Sequence, residues 1–309
     1  MGTIAIINNK GGVGKTTTAQ NIGAAIATFT AGNKGVLLID LDPQGSLTKA
    51  FGIDLPKDAP TVGSFILRQA TLEQTAITYN ASNIDILPAA RRLFDDEDAI
   101  KTSSSFPFNL KKSLKDSIKQ YDYVVIDCPP SLSVFTEIAL IACDRYYIPL
   151  QAEYLSYEGL VEFIHYANEV SRLNSAIGIG GVFATRFNPK ANKKFSRELI
   201  EYARHQLGDR FLESYIRENS DLYKAQAQGQ HIFDYNARSN GALDYHQLTR
   251  EIITKQWKTT TDYLVSHFLK NLKRKRHVAR RVTWVSSLIM SWLRRSGTML
   301  TGREWLNNR

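Results

Sequence analysis

Cysteine, histidine and methionine are scarce in this chain of 309 residues, which has two Cys, six His and three Met. Cys128 and Cys143 lie in apolar stretches without metal-ligand or disulfide-framework spacing, so buried reduced thiols are expected. The histidines are scattered, with no ligand pair at helical spacing, which argues against an imidazole-based metal centre. Long hydrophobic runs are missing as well. The longest uncharged stretch in the segment 270–309 covers 282–293, and its 12 residues are too few to span a bilayer. No stretch reads as a secretory signal, and a cytoplasmic protein is expected.

Acidic residues are nearly absent from one part of the chain only. Residues 270–309 hold eleven Lys/Arg and a single acid, Glu304, whereas residues 1–269 hold 28 basic and 29 acidic residues. The net charge of +9 therefore belongs to the tail. Two units are expected, 1–269 as the folded body and 270–309 as a basic, tryptophan-containing tail.

The body alternates short apolar runs with longer helical patterns. Strands are predicted over 3–8, 35–40, 84–89, 123–129, 145–150 and 178–185, each a nearly continuous hydrophobic run of the kind buried on both faces. Helices are predicted over 15–31, 107–119, 133–143, 156–173 and 192–207, with a helical pattern from Asn240 to Leu269. This order implies crossover connections, and the fold class is α/β: a doubly wound, mostly parallel sheet with helices on both faces.

The stretch "NNKGGVGKTT" (8–17) lies between the first strand and the first helix. It fits the phosphate-loop pattern at Gly14, Lys15 and Thr16 but has Asn9 where the pattern wants glycine. Gly11, Gly12 and Gly14 let the backbone bend so that its N–H groups converge on phosphate oxygens, and the helix N-terminus adds its positive dipole end. Lys15 is expected to reach the terminal phosphates and Thr16 to place its hydroxyl on Mg²⁺. "IDLDPQG" sets Asp40 and Asp42 at the carboxyl end of the second strand, and "VVIDCPP" ends a later strand with Asp127, the position of a Walker B carboxylate. Any one of these carboxylates alone is also compatible with a simple helix N-cap. Three on two strand ends beside a phosphate loop are better explained by metal and water handling.

The loop "KGGVGKTTT" (10–18), with "DLDPQG", "VVIDCPP" and "PLQAEYLSYEGL" (149–160), resembles the ParA (Soj-type) partition ATPases of the MinD/ParA deviant Walker A family. The region 216–252 is similar to the family's C-terminal part, so the resemblance covers about residues 1–255. It implies ATP and Mg²⁺ as cofactors, a loop contact set of Gly11, Gly12, Val13, Gly14, Lys15, Thr16 and Thr17, and an Mg²⁺ shell completed through water by Asp40 and Asp127. It assigns Asp42 to orienting the attacking water and Lys10 to the partner's phosphates across a nucleotide-sandwich homodimer. Without the resemblance, Lys10 reads equally as a solvated lysine at a loop edge. The implied activity is slow ATP hydrolysis, with a ParB-like adaptor as stimulating partner and nonspecific DNA as track. The implied location is the nucleoid.

Two departures from the family bear on DNA contact. Where the family often shows "IPRNVRLSEA", this chain has "IRENSDLYKA" (216–225), so the second arginine falls on Asp221, and Arg217 and Lys224 are the substitutes at hand. Where the family has "TMxDxRTN", this chain has "TRFNPKANKK" (185–194), which offers Arg186, Lys190, Lys193 and Lys194. Each of these also reads as a solvated charge. In the tail, Lys273, Arg274, Lys275 and Arg276 open a run dense enough to touch phosphates. Val282, Val285, Leu288, Ile289, Trp292 and Leu293 follow at helical spacing, a stripe compatible with a membrane interface. The tail thus stands open between DNA contact, a MinD-like membrane or cargo-positioning role, and a disordered extension.

Overall fold

In the computed structural model, the described residues are 2–29, 35–80, 82–174, 177–189 and 194–254, leaving aside the side chains of 116, 118 and 154–158. The boundary expected at 269 and the whole tail lie outside them. The six predicted strands are all present: β1 (Gly2–Ile6), β2 (Gly35–Asp40), β4 (Ile84–Leu87), β5 (Tyr121–Asp127), β6 (Arg145–Gln151) and β7 (Gly178–Thr185). The seventh, β3 (Ile77–Thr78), was not anticipated, because two residues leave no periodic signal.

The strands form one sheet in the order β3-β4-β2-β5-β1-β6-β7. Only the β3–β4 pairing is antiparallel. The central strands are buried on both faces, with Ile4, Ile6, Leu38, Ile39, Val125 and Ile126 at most 5 % exposed. From β1 the chain passes through the helix Lys15–Phe29 to β2 on one side, and from β5 through the helix Val134–Ala142 to β6 on the other. Right-handed crossovers running in opposite directions put these helices on opposite faces.

The helix Lys15–Phe29 runs close against the sheet. A Cβ on Gly23 would stand 2.6 Å from Leu38 Cδ2, so only glycine permits that approach. Its other side is covered by the helix Asn240–Thr254, whose Tyr245, Leu248 and Ile252 are buried. The Tyr245 and Thr18 hydroxyls meet there at 3.2 Å in the buried core.

The register decides what stands where at the carboxyl edge. Asp127 pairs with Ile6 of β1 on one side and with Asp40 of β2 on the other. The phosphate-type loop leaves β1 beside a carboxylate from β5, and a second carboxylate from β2 lies one strand further. Ligands of open α/β sheets bind at this edge, where the crossovers diverge.

Candidate nucleotide site

The loop 8–14 is tied to the sheet on both flanks. At its start, the Asn8 amide donates to Pro149 O at 2.8 Å, and its Oδ1 accepts the Lys10 N–H at 2.9 Å. At its centre, the Thr185 hydroxyl at the end of β7 donates to Val13 O at 3.0 Å. Gly12 and Gly14 hold φ of 75° and 90°, in the left-handed region that side chains with a Cβ resist. A Cβ on Gly11, Gly12 or Gly14 would meet nothing within 4 Å, so open space lies beside the loop at all three glycines.

Lys15 begins the helix and is buried. Its Nζ donates to Lys10 O at 2.8 Å, back across the loop. Burial lowers its pKa, opposed chiefly by the nearby Asp127 carboxylate. The Lys10 side chain points elsewhere, its Nζ 2.7 Å from Glu153 Oε2.

The three carboxylates are not equivalent. Asp40, fully buried, accepts from the Asp42 N–H at 3.1 Å through Oδ1, and from the Thr48 N–H and hydroxyl, both at 2.8 Å, through Oδ2. Burial raises its pKa to about 6, and the Thr48 donors oppose the rise. Asp42 caps its own turn, accepting the Gln44 N–H at 2.9 Å. Asp127 is fully buried, and neither carboxylate oxygen completes a well-formed hydrogen bond, the Thr16 hydroxyl being the one donor that acts on it. Burial first and the Asp40 charge second hold its carboxyl well above the usual range, while the Thr16 hydroxyl and Lys15 act in the opposite sense.

A buried carboxylate with two orphaned oxygens is costly unless something completes it. It stands beside an open glycine cradle, a helix N-terminus and a lysine held only by a loop carbonyl. This arrangement fits a Mg²⁺-nucleotide: phosphate oxygens suit the cradle, and a hydrated Mg²⁺ suits the orphaned acceptors. Among the described residues no group of three or more His, Cys, Asp and Glu forms a metal cage, so a cation here would draw ligands from a hydroxyl, water and phosphate.

Comparison with known proteins agrees with this geometry. Residues 1–179 match the family described as an AAA domain. The chain is 36% identical over 250 residues to the sporulation initiation inhibitor protein Soj of Bacillus subtilis (strain 168), covering 81% of this chain and 97% of that protein. It is 35% identical over 254 residues to the chromosome-partitioning ATPase Soj of Treponema pallidum (strain Nichols), covering 82% and 97%. The chain belongs to the Soj/ParA family of partition ATPases. A crystal structure of cobyrinic acid a,c-diamide synthase from Mycobacterium smegmatis, with bound ATP analog and magnesium, superposes with a TM-score of 0.68 at 28% identity, over 82% of this chain and 94% of that one. ATP and Mg²⁺ are accordingly the cofactors of this Soj/ParA-type ATPase.

The basic residues expected to serve the Soj/ParA chain in DNA contact are only partly brought together. Thr185 pairs with Ile216 in a parallel bridge, so Arg186 and Arg217 follow it side by side on neighbouring segments, next to the loop anchor. Arg186 is exposed and holds φ of 50°. Arg217 is occupied by Asp244: its Nε lies 3.0 and 3.1 Å and its Nη2 2.6 Å from the carboxylate. Lys224 lies 3.3 Å from Asp221, the residue that stands where the family arginine would, and Lys194 lies 3.8 Å from Glu198. Lys190, Lys193 and Lys273 to Arg276 lie outside the described residues.

Three side chains that shape the site were not singled out from sequence: Asn8, Thr48 and Thr185. Asn8 and Thr185 act by hydrogen bonding to main chains 141 and 172 positions away, and Thr48 by hydrogen bonding to a carboxylate eight positions back. An isolated Asn or Thr carries no spacing signal for that.

Proposed function

We propose that this chain is a DNA-partition ATPase whose ATP-bound form dimerises, binds DNA without sequence preference and is released when a ParB-like adaptor triggers hydrolysis. The observation carrying the reading is the orphaned, buried Asp127 carboxylate beside an open glycine loop with a second lysine at its mouth. In this reading the amides of Gly11, Gly12, Val13 and Gly14 donate to phosphate oxygens, Lys15 leaves the Lys10 carbonyl for the terminal phosphates, and Thr17 extends the contact set. Thr16 ligates Mg²⁺ directly, and Asp40 and Asp127 act through water. For Asp40 this follows from its oxygens already accepting protein donors. Bound Mg²⁺ offsets phosphate charge.

Asp42 orients the water whose oxygen attacks the γ-phosphorus as the bond to the β,γ-bridging oxygen breaks and ADP departs. Lys10 meets the partner subunit's phosphates, so ATP joins two copies of the chain. The candidate DNA contacts are Arg186, Arg217, Lys193, Lys194 and Lys224 of the body and, separately, the tail run from Lys273 to Arg276, and in this reading the ATP form acts on the nucleoid in the cytoplasm.

The decisive experiment is binding of the full chain to a nonspecific duplex with ATP or ADP, at low and high salt. ATP-dependent binding that weakens steeply with salt is expected. Equal binding with either nucleotide would move the affinity to the tail alone. No binding, with capture by anionic liposomes instead, would replace the DNA track with a lipid surface.

A further inference from the structure

The two loop lysines are linked through one carbonyl. Lys15 Nζ donates to Lys10 O at 2.8 Å, while Lys10 Nζ reaches Glu153 Oε2 at 2.7 Å. The neighbouring Asn9 amide donates to Glu162 Oε2 at 3.2 Å, and Asn9 Oδ1 is buried without a partner, against Gly159. The loop mouth is therefore docked through two carboxylates onto the single segment that leaves β6. Glu153 is the N-cap residue of the helix Tyr154–Ser171, yet its side chain makes no capping bond. Its carboxylate faces Lys10 instead.

We propose that Glu153 is a positioning residue that retains Lys10 within its own subunit and so sets the nucleotide level at which two copies of the chain assemble. The proposal rests on the reading in which Lys10 crosses to a partner's phosphates. An ammonium 2.7 Å from a carboxylate of its own chain cannot also sit on a phosphate across an interface, so one contact must break before the other forms. Phosphate arrival favours that exchange. Phosphate oxygens are stronger acceptors than a peptide carbonyl, so Lys15 is drawn off Lys10 O and the mouth loses one of its main-chain restraints.

The Lys10 and Glu153 side chains are 28% and 54% exposed, so their pair is weak enough to be outcompeted by a triphosphate. A solvent-exposed pair of this kind biases an equilibrium by about two- to fivefold. Because both subunits must release Lys10, the bias on the dimer is roughly the square of that.

The test is sedimentation velocity of the full chain with Mg²⁺ and a non-hydrolysable ATP analogue, alongside analogue affinity at protein concentrations where the chain is monomeric. Glu153→Gln is expected to tighten the dimer dissociation constant by about four- to twenty-five-fold, with the monomer's analogue affinity unchanged. Glu153→Asp, which keeps the charge, should stay near wild type, and so should Glu162→Gln, which touches Asn9 and not Lys10. The gain from Glu153→Gln should shrink at high salt, as a screened ion pair requires and a packing change would not. A dimer unchanged or weakened by Glu153→Gln overturns the proposal. A wild-type chain that binds the analogue and stays monomeric would instead remove the dimer reading on which the proposal stands.

Discussion

The Thr185 hydroxyl at the end of β7 donates a 3.0 Å hydrogen bond to the carbonyl of Val13, 172 positions earlier in the chain. Both residues are buried, so no water can take over the bond. It fixes the middle of the phosphate loop to the strand that leads into Arg186. Thr185→Val keeps the shape and leaves the Val13 carbonyl unpaired. The expected cost is about 1–3 kcal/mol in denaturant unfolding, with weaker ATP binding by calorimetry. Unchanged ATP affinity would show that the loop holds its form without the anchor.

Lys15 and Lys10 should separate binding from assembly. Lys15→Ala is expected to abolish measurable ATP binding, because the buried ammonium is the loop's own charge for phosphate. Lys10→Ala should bind ATP and remain monomeric in light scattering. A persistent ATP-dependent dimer in Lys10→Ala would remove the trans role.

Asp42→Ala should form ATP-dependent dimers that hardly turn over. Its carboxylate caps only the local Gln44 N–H, so the chain is expected to remain folded. Phosphate release at the wild-type rate would take Asp42 out of the reaction.

Leu248 is fully buried on the helix Asn240–Thr254, which packs against the helix Lys15–Phe29. Leu248→Ala should cost about 2–5 kcal/mol, the range for a large-to-small change in a packed core. An unfolding midpoint within error of wild type would mean that this helix adds nothing to the cooperative unit.

His231 caps the helix Ile232–Asn236 by accepting the Asp234 N–H on Nδ1, which requires a neutral ring. Burial lowers its pKa below 6.5, with Asp234 opposing. The unfolded chain therefore takes up a proton before the folded one does. The stability that His231 confers is present above about pH 6.5 and falls as pH drops below it. His231→Asn, a cap that does not titrate, should flatten that part of the stability profile between pH 7 and pH 5. Parallel profiles for the two proteins would assign the acid sensitivity elsewhere.

Much of this was legible before any coordinates. The strands at 35–40, 145–150 and 178–185 appear within a residue of their predicted bounds, because a strand buried on both faces is a continuous apolar run. Most long helices were equally readable, with 133–143 and 192–207 appearing as Val134–Ala142 and Lys194–Leu207, but the helix Leu93–Thr102 was not anticipated. The short helices Ser46–Ala50, Val62–Ile66, Leu72–Thr75 and Ile232–Asn236 were not, since four or five residues give too little periodicity. Ser220–Ala227 sat inside a stretch recognised by its resemblance and not by its pattern. At the site, Lys15, Thr16 and the glycines follow from their spacing. The unequal states of Asp40 and Asp127 do not.

What the sequence determined by itself is the kind of site: a glycine loop, two lysines and three strand-end carboxylates, each recognisable because its neighbours along the chain supply its context. Tertiary structure decided how those groups are engaged. It gave Asp40 its donors from Thr48, left Asp127 without a well-formed hydrogen bond, set Lys10 against Glu153, and tied Arg217 to Asp244. The physical reason is range. Backbone conformation and strand burial respond to residues a few positions away. A hydrogen bond or an ion pair responds to whichever group the fold brings within about 3 Å, and that depends on strand order and register.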